Sequence, residues 1–386
     1  EKRLTFTQWF HGDCLASYYK VKPLSKKHFV IMENFLKTAH EYGINAILTP
    51  VLTPPLDTKI GGERPTMQLV DIIKTSTGYQ YSYNLLDKWV SMCSEIGFEY
   101  FEISHFFTQW GAKHAPKVIA EVNGHKKRIF GWETDASSED YIFFLRDFIA
   151  NLLKHLKELG VDKKCFFHIS DEPNEKSIEG YRLAKKSIID LLDGYLVTDA
   201  LSSIDFYKKG IVTHPIPSTD KIDDFINEGI ENLWTYYCCA QYIDVSNRYI
   251  AMSSHRNRII GTQLYKYKIE GFLHWGYNFY YNQFSRKLIN PFLITDGDFF
   301  APSGDAYSVY PGHDGLPVKS LRLVIFNEAL QDLRAYLKLE SLTSYQYVMD
   351  IIDKHGKITF SKFPKENNYI INLRERINEE IMLFSK

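Results

Sequence analysis

The feature that most restricts how this chain can fold is a regular alternation of short β-branched and aromatic runs with longer amphipathic stretches. Strands are predicted at residues 4–10, 44–49, 98–104, 165–170, 195–198, 211–214, 232–238 and 271–275. Helices are expected near 26–42, 84–96, 138–159, 174–192, 220–228 and 249–267, with a last one at 318–339; only a short helical turn follows the fifth strand. About eight strand–helix units in this order predict a (β/α)8 barrel. An open doubly wound sheet shares the alternation, but no glycine-rich phosphate fingerprint follows the first strand. The 386 residues suffice for a barrel over 1–340 and a small C-terminal α/β extension over 341–386. That extension reads as two helices around a short strand at 357–360, packed on the barrel.

Connection lengths say where function lies. Helix-to-strand links are short, as at Tyr42-Gly43, Ile96-Gly97, Asp193-Gly194 and Gly229-Ile230, whereas the links after strands 2, 3 and 8 are long. In a barrel the strand-to-helix loops form one rim, and that rim carries the chemistry. The long inserts are therefore expected on the functional face.

Charge and composition exclude several partners. A net charge of -1 provides no field for nucleic acid or anionic lipid, and the cluster Lys126-Lys127-Arg128 reads as a solvated turn. No apolar run reaches the roughly 20 residues of a membrane span. Cys14, Cys93, Cys165, Cys238 and Cys239 follow no zinc spacing and read as small buried hydrophobes in a reducing compartment. Cytoplasmic location is the expectation, or secretion if a leader once preceded Glu1. Aromatic residues make up 15% of the chain, enough both to fill a core and to stack on sugar rings.

The most informative stretch is Phe166-Phe167-His168-Ile169-Ser170-Asp171-Glu172-Pro173. An apolar strand delivers two adjacent carboxylates to the rim, and a proline ends it. Asp171 or Asn174 capping the next helix is the plain alternative; the position at a strand end favours catalysis. A conventional retaining glycosidase needs a second carboxylate about 5–5.5 Å across the sugar. Strand 7, a common source of it, ends Trp234-Thr235-Tyr236-Tyr237-Cys238-Cys239, with no acid before Asp244. An adjacent Asp-Glu pair suits a different route, in which the substrate's own 2-acetamido oxygen attacks the anomeric carbon. One carboxylate then protonates the leaving oxygen, its neighbour orients the acetamido N–H, and a tyrosine hydroxyl (Tyr236 or Tyr237) holds the acetamido oxygen. Core packing is the competing role for both tyrosines.

Together with Ile169-Ser170-Asp171-Glu172-Pro173, the stretches Gly271-Phe272-Leu273-His274-Trp275, Tyr310-Pro311-Gly312 and Lys319-Ser320-Leu321-Arg322 resemble the catalytic domain of glycoside hydrolase family 123. The resemblance covers most of the chain, in the family's order. It implies a retaining β-N-acetylgalactosaminidase using acetamido participation on a (β/α)8 barrel, with Glu172 as general acid/base and Asp171 as the acetamido-stabilising residue. Two departures stand out. The family's N-terminal β-sandwich has no counterpart in these residues, and the inserts after strands 2 and 3 reshape the surroundings of the sugar. The chemistry therefore transfers better than the exact sugar.

Sugars are gripped by planar polar groups and by aromatic faces. His11, Asp57, Arg64, His105, Trp110 and Trp275 are the sugar-site candidates on these grounds, with Asp57 and Arg64 expected on display in a rigid proline- and glycine-rich loop. Trp132 belongs to the same loop as Trp110, and Arg322, just inside the last helix, has an internal salt bridge as its alternative to a sugar-site role. A metal site built from His11, Asp13, His105 and His114 is rejected because no two have ligand spacing. No cofactor is expected, and the partner is a glycan or glycoconjugate. Two other functions stay open: a glycosidase for another sugar with a carboxylate nucleophile such as Asp199 or Asp296, and a non-catalytic sugar-binding barrel.

Overall fold

A computed structural model describes residues 4–173, 177–366 and 368–385. Eight short strands form its centre: β1 (Thr5–Gln8), β2 (Ala46–Thr49), β3 (Tyr100–Ile103), β4 (Cys165–Phe167), β5 (Leu196–Leu201), β6 (His214–Pro217), β7 (Trp234–Tyr236) and β8 (Gly271–His274). All neighbours are parallel and follow chain order, with β1 returning to β8 in the register Thr5↔Gly271 and β2 meeting β3 at Ala46↔Tyr100. The seam between β6 and β7 is closed by a single parallel bridge, Ser218↔Tyr236, where Thr219 N donates to Tyr236 O at 2.9 Å. Pro215 and Pro217 explain so thin a seam, since neither has an N–H for a ladder. The (β/α)8 barrel is thus the architecture.

Buried faces hold the helices in place. Along Lys26–Glu41, Phe29, Met32, Phe35, Leu36 and Ala39 turn inward at helical spacing, and Ser25 Oγ caps the start by accepting His28 N–H. The helix Asn84–Ile96 stops at Gly97, whose φ of +115° suits a residue without Cβ. At the barrel floor, a Cβ on Gly271 would lie 2.0 Å from the Trp234 ring, so only glycine lets that ring lie across β8.

The last barrel helix, Leu321–Leu342, starts at Ser320, whose hydroxyl accepts Leu323 N–H. Its sequence is apolar on two sides for a reason. Phe326, Ala329 and Leu330 join the barrel core, whereas Leu333, Tyr336 and Leu339 join a second core with Val348, Ile352, Leu373 and Ile377. The C-terminal helices Tyr345–Ile352 and Tyr369–Phe384 supply that second core. The strand expected at 357–360 is not formed, so the described extension is helical rather than α/β. Side chains take the place of a ladder: Gln263 Nε2 donates to Thr359 O, Tyr267 OH to Ile358 O, and Asp353 Oδ1 accepts Ile358 N–H.

Several other boundaries differ from expectation. The sixth strand runs three residues later than 211–214, because its hydrogen bonds come from β5 and tolerate the prolines. The helix expected at 249–267 is two, Ser254–Arg258 and Ile260–Lys266. The one expected from 174 is an α-helix over Ile178–Ile188; its predicted start, including Asn174, lies outside the described residues. Among the described residues no helix is long and apolar enough to cross a membrane.

The inserts after β2 and β3 fold together on the rim. Hairpins Asp71–Lys74/Tyr79–Ser82 and Val118–Val122/His125–Phe130 join by parallel pairing into one four-stranded sheet. Gln68 clips them by donating to Ile119 O and accepting Ile119 N–H, and Trp132 Nε1 donates to Gly62 O.

Candidate active site

Polar residues inside otherwise apolar strands build the floor. Glu102 of β3 accepts Thr7 Oγ1 at 2.5 Å and Trp9 Nε1 at 2.8 Å, all from inside the barrel. His168, just past β4, sits between Glu102 at 2.7 Å and Asp199 at 3.3 Å, and Tyr181 OH donates to Asp199 Oδ2 at 2.5 Å. Burial alone would push the His168 pKa down. Hydrogen bonds to Asp199 and Glu102, and their charges, instead raise it to about 10, so the ring is an imidazolium at neutral pH. His105 stacks on it with ring centroids 4.4 Å apart; burial and then the His168 charge hold His105 neutral. His105, His168 and Asp199 bring ligand atoms within 4.8 Å of one another, but the two rings lie face to face and both His168 nitrogens are already engaged. The cluster is an ion network rather than a chelate.

A few residues along the chain, a second group of carboxylates contacts no such cation among the described residues. Asp171 is 5% exposed; its Oδ2 accepts Gln109 Nε2 at 2.6 Å, and its carbonyl accepts Trp110 N–H at 3.1 Å. Glu172 Oε1 accepts the hydroxyl of Tyr236, across from β7, at 3.0 Å. Gln109 Oε1 accepts the backbone N–H of Asp57, so one amide joins the loop after β2 to the Asp-Glu pair. Ser285 Oγ donates to Asp57 O at 2.6 Å, and the edge of Trp110 meets Phe284, which brings the loop after β8 to the same place.

Electrostatics and strain mark this group. Burial and then the charge of Glu172 raise the Asp171 pKa well above the carboxylate range, Asp57 adds to the rise, and Gln109 and His168 oppose it. Asp57 is raised to about 7, first by burial and further by Glu172 and Asp305, although Arg64 opposes. The backbone of Asp57 (φ +45°), Trp110 (+58°), Glu172 (+46°), Phe284 (+59°) and Ser285 (+53°) is left-handed without a glycine among them. Such residues each cost on the order of 1–3 kcal/mol and persist where their surroundings enforce them, often at functional sites.

The opposite wall, from β1 and β8, is charge-satisfied. Arg64 is buried, not displayed: it grips Asp13 with two bonds of 2.7 Å and donates to Leu56 O. A guanidinium inside the core needs its anion, and Asp13 in the short helix Gly12–Tyr18 supplies it. His11 has both ring nitrogens engaged, with Trp275 O at 2.8 Å and Arg64 at 3.1 Å; burial, then Arg64, lowers its pKa to about 3. Trp275 Nε1 donates to buried Asp305 at 2.9 Å, and Asp305 also meets His274 at 3.2 Å. Arg248 binds Gln8, His274 and the Asp305 carbonyl.

Seen this way, the sequence candidates separate. Asp171, Glu172, Tyr236, Asp57 and Trp110 meet in one place, where Trp110 is 40% exposed. His11, Arg64 and His105 lie behind the wall or under the floor. Tyr236 points at Glu172 rather than offering a free hydroxyl, and Tyr237 is fully buried against Phe272 and His274. Arg322 makes no salt bridge among the described residues; it donates to Tyr307 O and lies over Tyr310. Asp199 is tied into the floor, and Asp296 accepts Asp298 N–H in its own loop. Cys14, Cys93 and Cys165 are buried, whereas Cys238 and Cys239 are half-buried.

Sequence pattern does not mark Gln109, Glu102, His168, Arg248 or Asp305 as site residues. Glu102 and His168 were detectable as polar residues within apolar strand runs. Arg248 and Asp305 sit in irregular loops with no periodic pattern.

Comparison with known proteins agrees with this architecture. The family model for the glycoside hydrolase 123 catalytic domain matches residues 9–339. No curated protein sequence matches the chain. Among solved structures, a family 123 glycoside hydrolase from Clostridium perfringens, studied for glycolipid glycan hydrolysis, superposes with a TM-score of 0.69 at 15% identity, over 99% of this chain and 69% of the other. A family 5 mannosidase from Rhizomucor miehei gives a TM-score of 0.48 at 11% identity, over 86% of this chain and 93% of that one. A β-galactosidase from Bacillus circulans sp. alkalophilus gives 0.48 at 9% identity, over 86% and 56%. With the family model spanning nearly the whole barrel, the chain belongs to glycoside hydrolase family 123 and is a glycoside hydrolase acting on glycans.

Proposed function

We propose that this glycoside hydrolase is a retaining β-N-acetylhexosaminidase with a preference for N-acetylgalactosamine, and that the 2-acetamido group of the substrate is its nucleophile. The observation that carries this reading is the pairing of Asp171 and Glu172 on one side of the site, with Tyr236 at the end of β7 where a second carboxylate would otherwise stand. Glu172 protonates the leaving oxygen and later activates water. Asp171, with Oδ2 on Gln109, presents its other oxygen to the acetamido N–H and balances the charge of the oxazolinium-like intermediate. Trp110 offers a partly open face for the sugar ring.

One specific feature favours a second route. Asp57 makes no side-chain hydrogen bond among the described residues and is electrostatically close to Glu172, so it is the carboxylate available as an enzyme nucleophile. Matched aryl β-N-acetylgalactosaminide and β-galactoside, followed by NMR for the first-formed anomer, test the two. Acetamido participation requires rapid cleavage of the first alone, with retention. Equal rates, or inversion, would contradict it.

A further inference from the structure

We infer that Gln109 is a positioning residue for the reaction: its amide fixes which oxygen of Asp171 faces the substrate and ties that choice to the loop after β2. The inference rests on the proposed role of Asp171 and adds a residue to it.

The amide has one workable orientation. Its Oε1 faces the backbone N–H of Asp57, an obligate donor, so its Nε2 must face Asp171, where it lies 2.6 Å from Oδ2. Asp57 cannot drift, because Ser285 Oγ holds its carbonyl at 2.6 Å and Lys59 N donates to Phe284 O at 2.8 Å. The neighbouring Trp110 N–H holds the Asp171 carbonyl, so residues 109 and 110 grip Asp171 by side chain and backbone together. With Oδ2 engaged, Oδ1 has no hydrogen bond among the described residues and is available to the acetamido N–H. A hydrogen bond donated to a carboxylate also favours its ionised form. The other groups that face Asp171 are Glu172 and His168 from its own segment, Asp57 from the loop after β2, and Tyr236 from β7. Gln109, beside them, is the neutral donor in direct contact with the carboxylate.

The test uses the whole chain with Gln109→Met and Gln109→Glu, assayed on an aryl β-N-acetylgalactosaminide with a poor leaving group. Met keeps the length and removes both hydrogen bonds. Glu keeps the acceptor for Asp57 N–H, and so keeps the loop even where Met loosens it, but sets an oxygen against Asp171 Oδ2. The expected result is a fall in kcat of about 10- to 100-fold, the worth of a hydrogen bond to a charged acceptor, with KM changed less than about 3-fold. The acidic limb of the kcat/KM profile should move to higher pH, further for Glu than for Met, because Asp171 then ionises with more difficulty. In an Asp171→Asn background the Met substitution should cost little more, since the two act through one group. Near-normal kcat, an unmoved acidic limb, or a loss that simply adds to that of Asp171→Asn would overturn the inference while leaving the reaction intact. Asp171→Asn retaining full turnover would instead bring down the proposed role of Asp171, and the inference with it.

Discussion

Two carboxylate clusters lie close together in this barrel and behave in opposite ways. In the floor, Glu102 and Asp199 flank the His168 imidazolium; Trp9 shares the Glu102 oxygen that meets His168, while Thr7, Tyr181 and the Ile169 N–H serve the other oxygens. Just above, Asp171, Glu172 and Asp57 face one another with no cation of their own among the described residues, where Arg64 and Arg248 are bound elsewhere. Buried charges are tolerable when paired and hydrogen-bonded; left among like charges, they hold protons instead. The compensated cluster belongs to the scaffold. The uncompensated one holds the raised carboxyls of Asp171 and Asp57, the kind of perturbed group that the proposed reaction site would carry.

The largest expected effect lies at Glu172. Glu172→Gln should lower kcat on a poor leaving group by about 10²–10⁴-fold and recover with a leaving group that needs no protonation. Unfolding free energy should change by less than about 1 kcal/mol, since like-charge repulsion is relieved as one hydrogen bond is altered. Full activity on the poor leaving group would move the acid elsewhere.

In the floor the balance should reverse. His168→Asn leaves two buried carboxylates without their cation and should cost about 3–5 kcal/mol in denaturant unfolding. A loss under about 1 kcal/mol would mean that the network is not ionic.

Titration separates the clusters again. The His168 pKa is raised in the fold to about 10, so its stabilisation is fully present below the ordinary histidine value and is lost as pH rises towards 10. Asp57 is raised to about 7; the fold holds its proton more tightly than the unfolded chain, and the associated stability is lost as pH rises from the ordinary carboxylate value through 7. Denaturant midpoints of the wild type should therefore fall in both windows. His168→Asn should remove the alkaline fall, and Asp57→Asn should shrink the acidic one, which the raised Asp171 shares; a variant that leaves its window unchanged would show that the group does not titrate as assigned. Smallest of all, Tyr236→Phe removes one hydroxyl from Glu172 and should slow turnover by about 10-fold. No change would show that this bond is absent in the working complex.

Much of this was legible in the sequence because it is periodic or positional. Strand alternation foretold the barrel, loop lengths foretold the rim, and the break at Pro173 placed Asp171 and Glu172 at a strand end. Arg64 was misread because a loop rich in proline and glycine looks exposed, and nothing local shows that Asp13, some fifty positions earlier, will bury it. Gln109 was invisible for a related reason. Its meaning comes from Asp57 on one side and Asp171 on the other, a contact made only when two long loops close over the same strand ends. The missing strand at 357–360 shows the same limit, since Gln263 and Asp353 satisfy backbone that propensity alone would send to a sheet.

The most direct test is to measure turnover and unfolding free energy on one preparation of Asp171→Asn. If this cluster exists for chemistry, kcat on a β-N-acetylgalactosaminide should fall at least about 100-fold, as expected for losing a charge that acts chiefly in the transition state. Unfolding free energy should stay level or rise, because a buried repulsion is removed. Turnover near wild type in a protein destabilised by more than about 2 kcal/mol would contradict the account and return Asp171 to the scaffold.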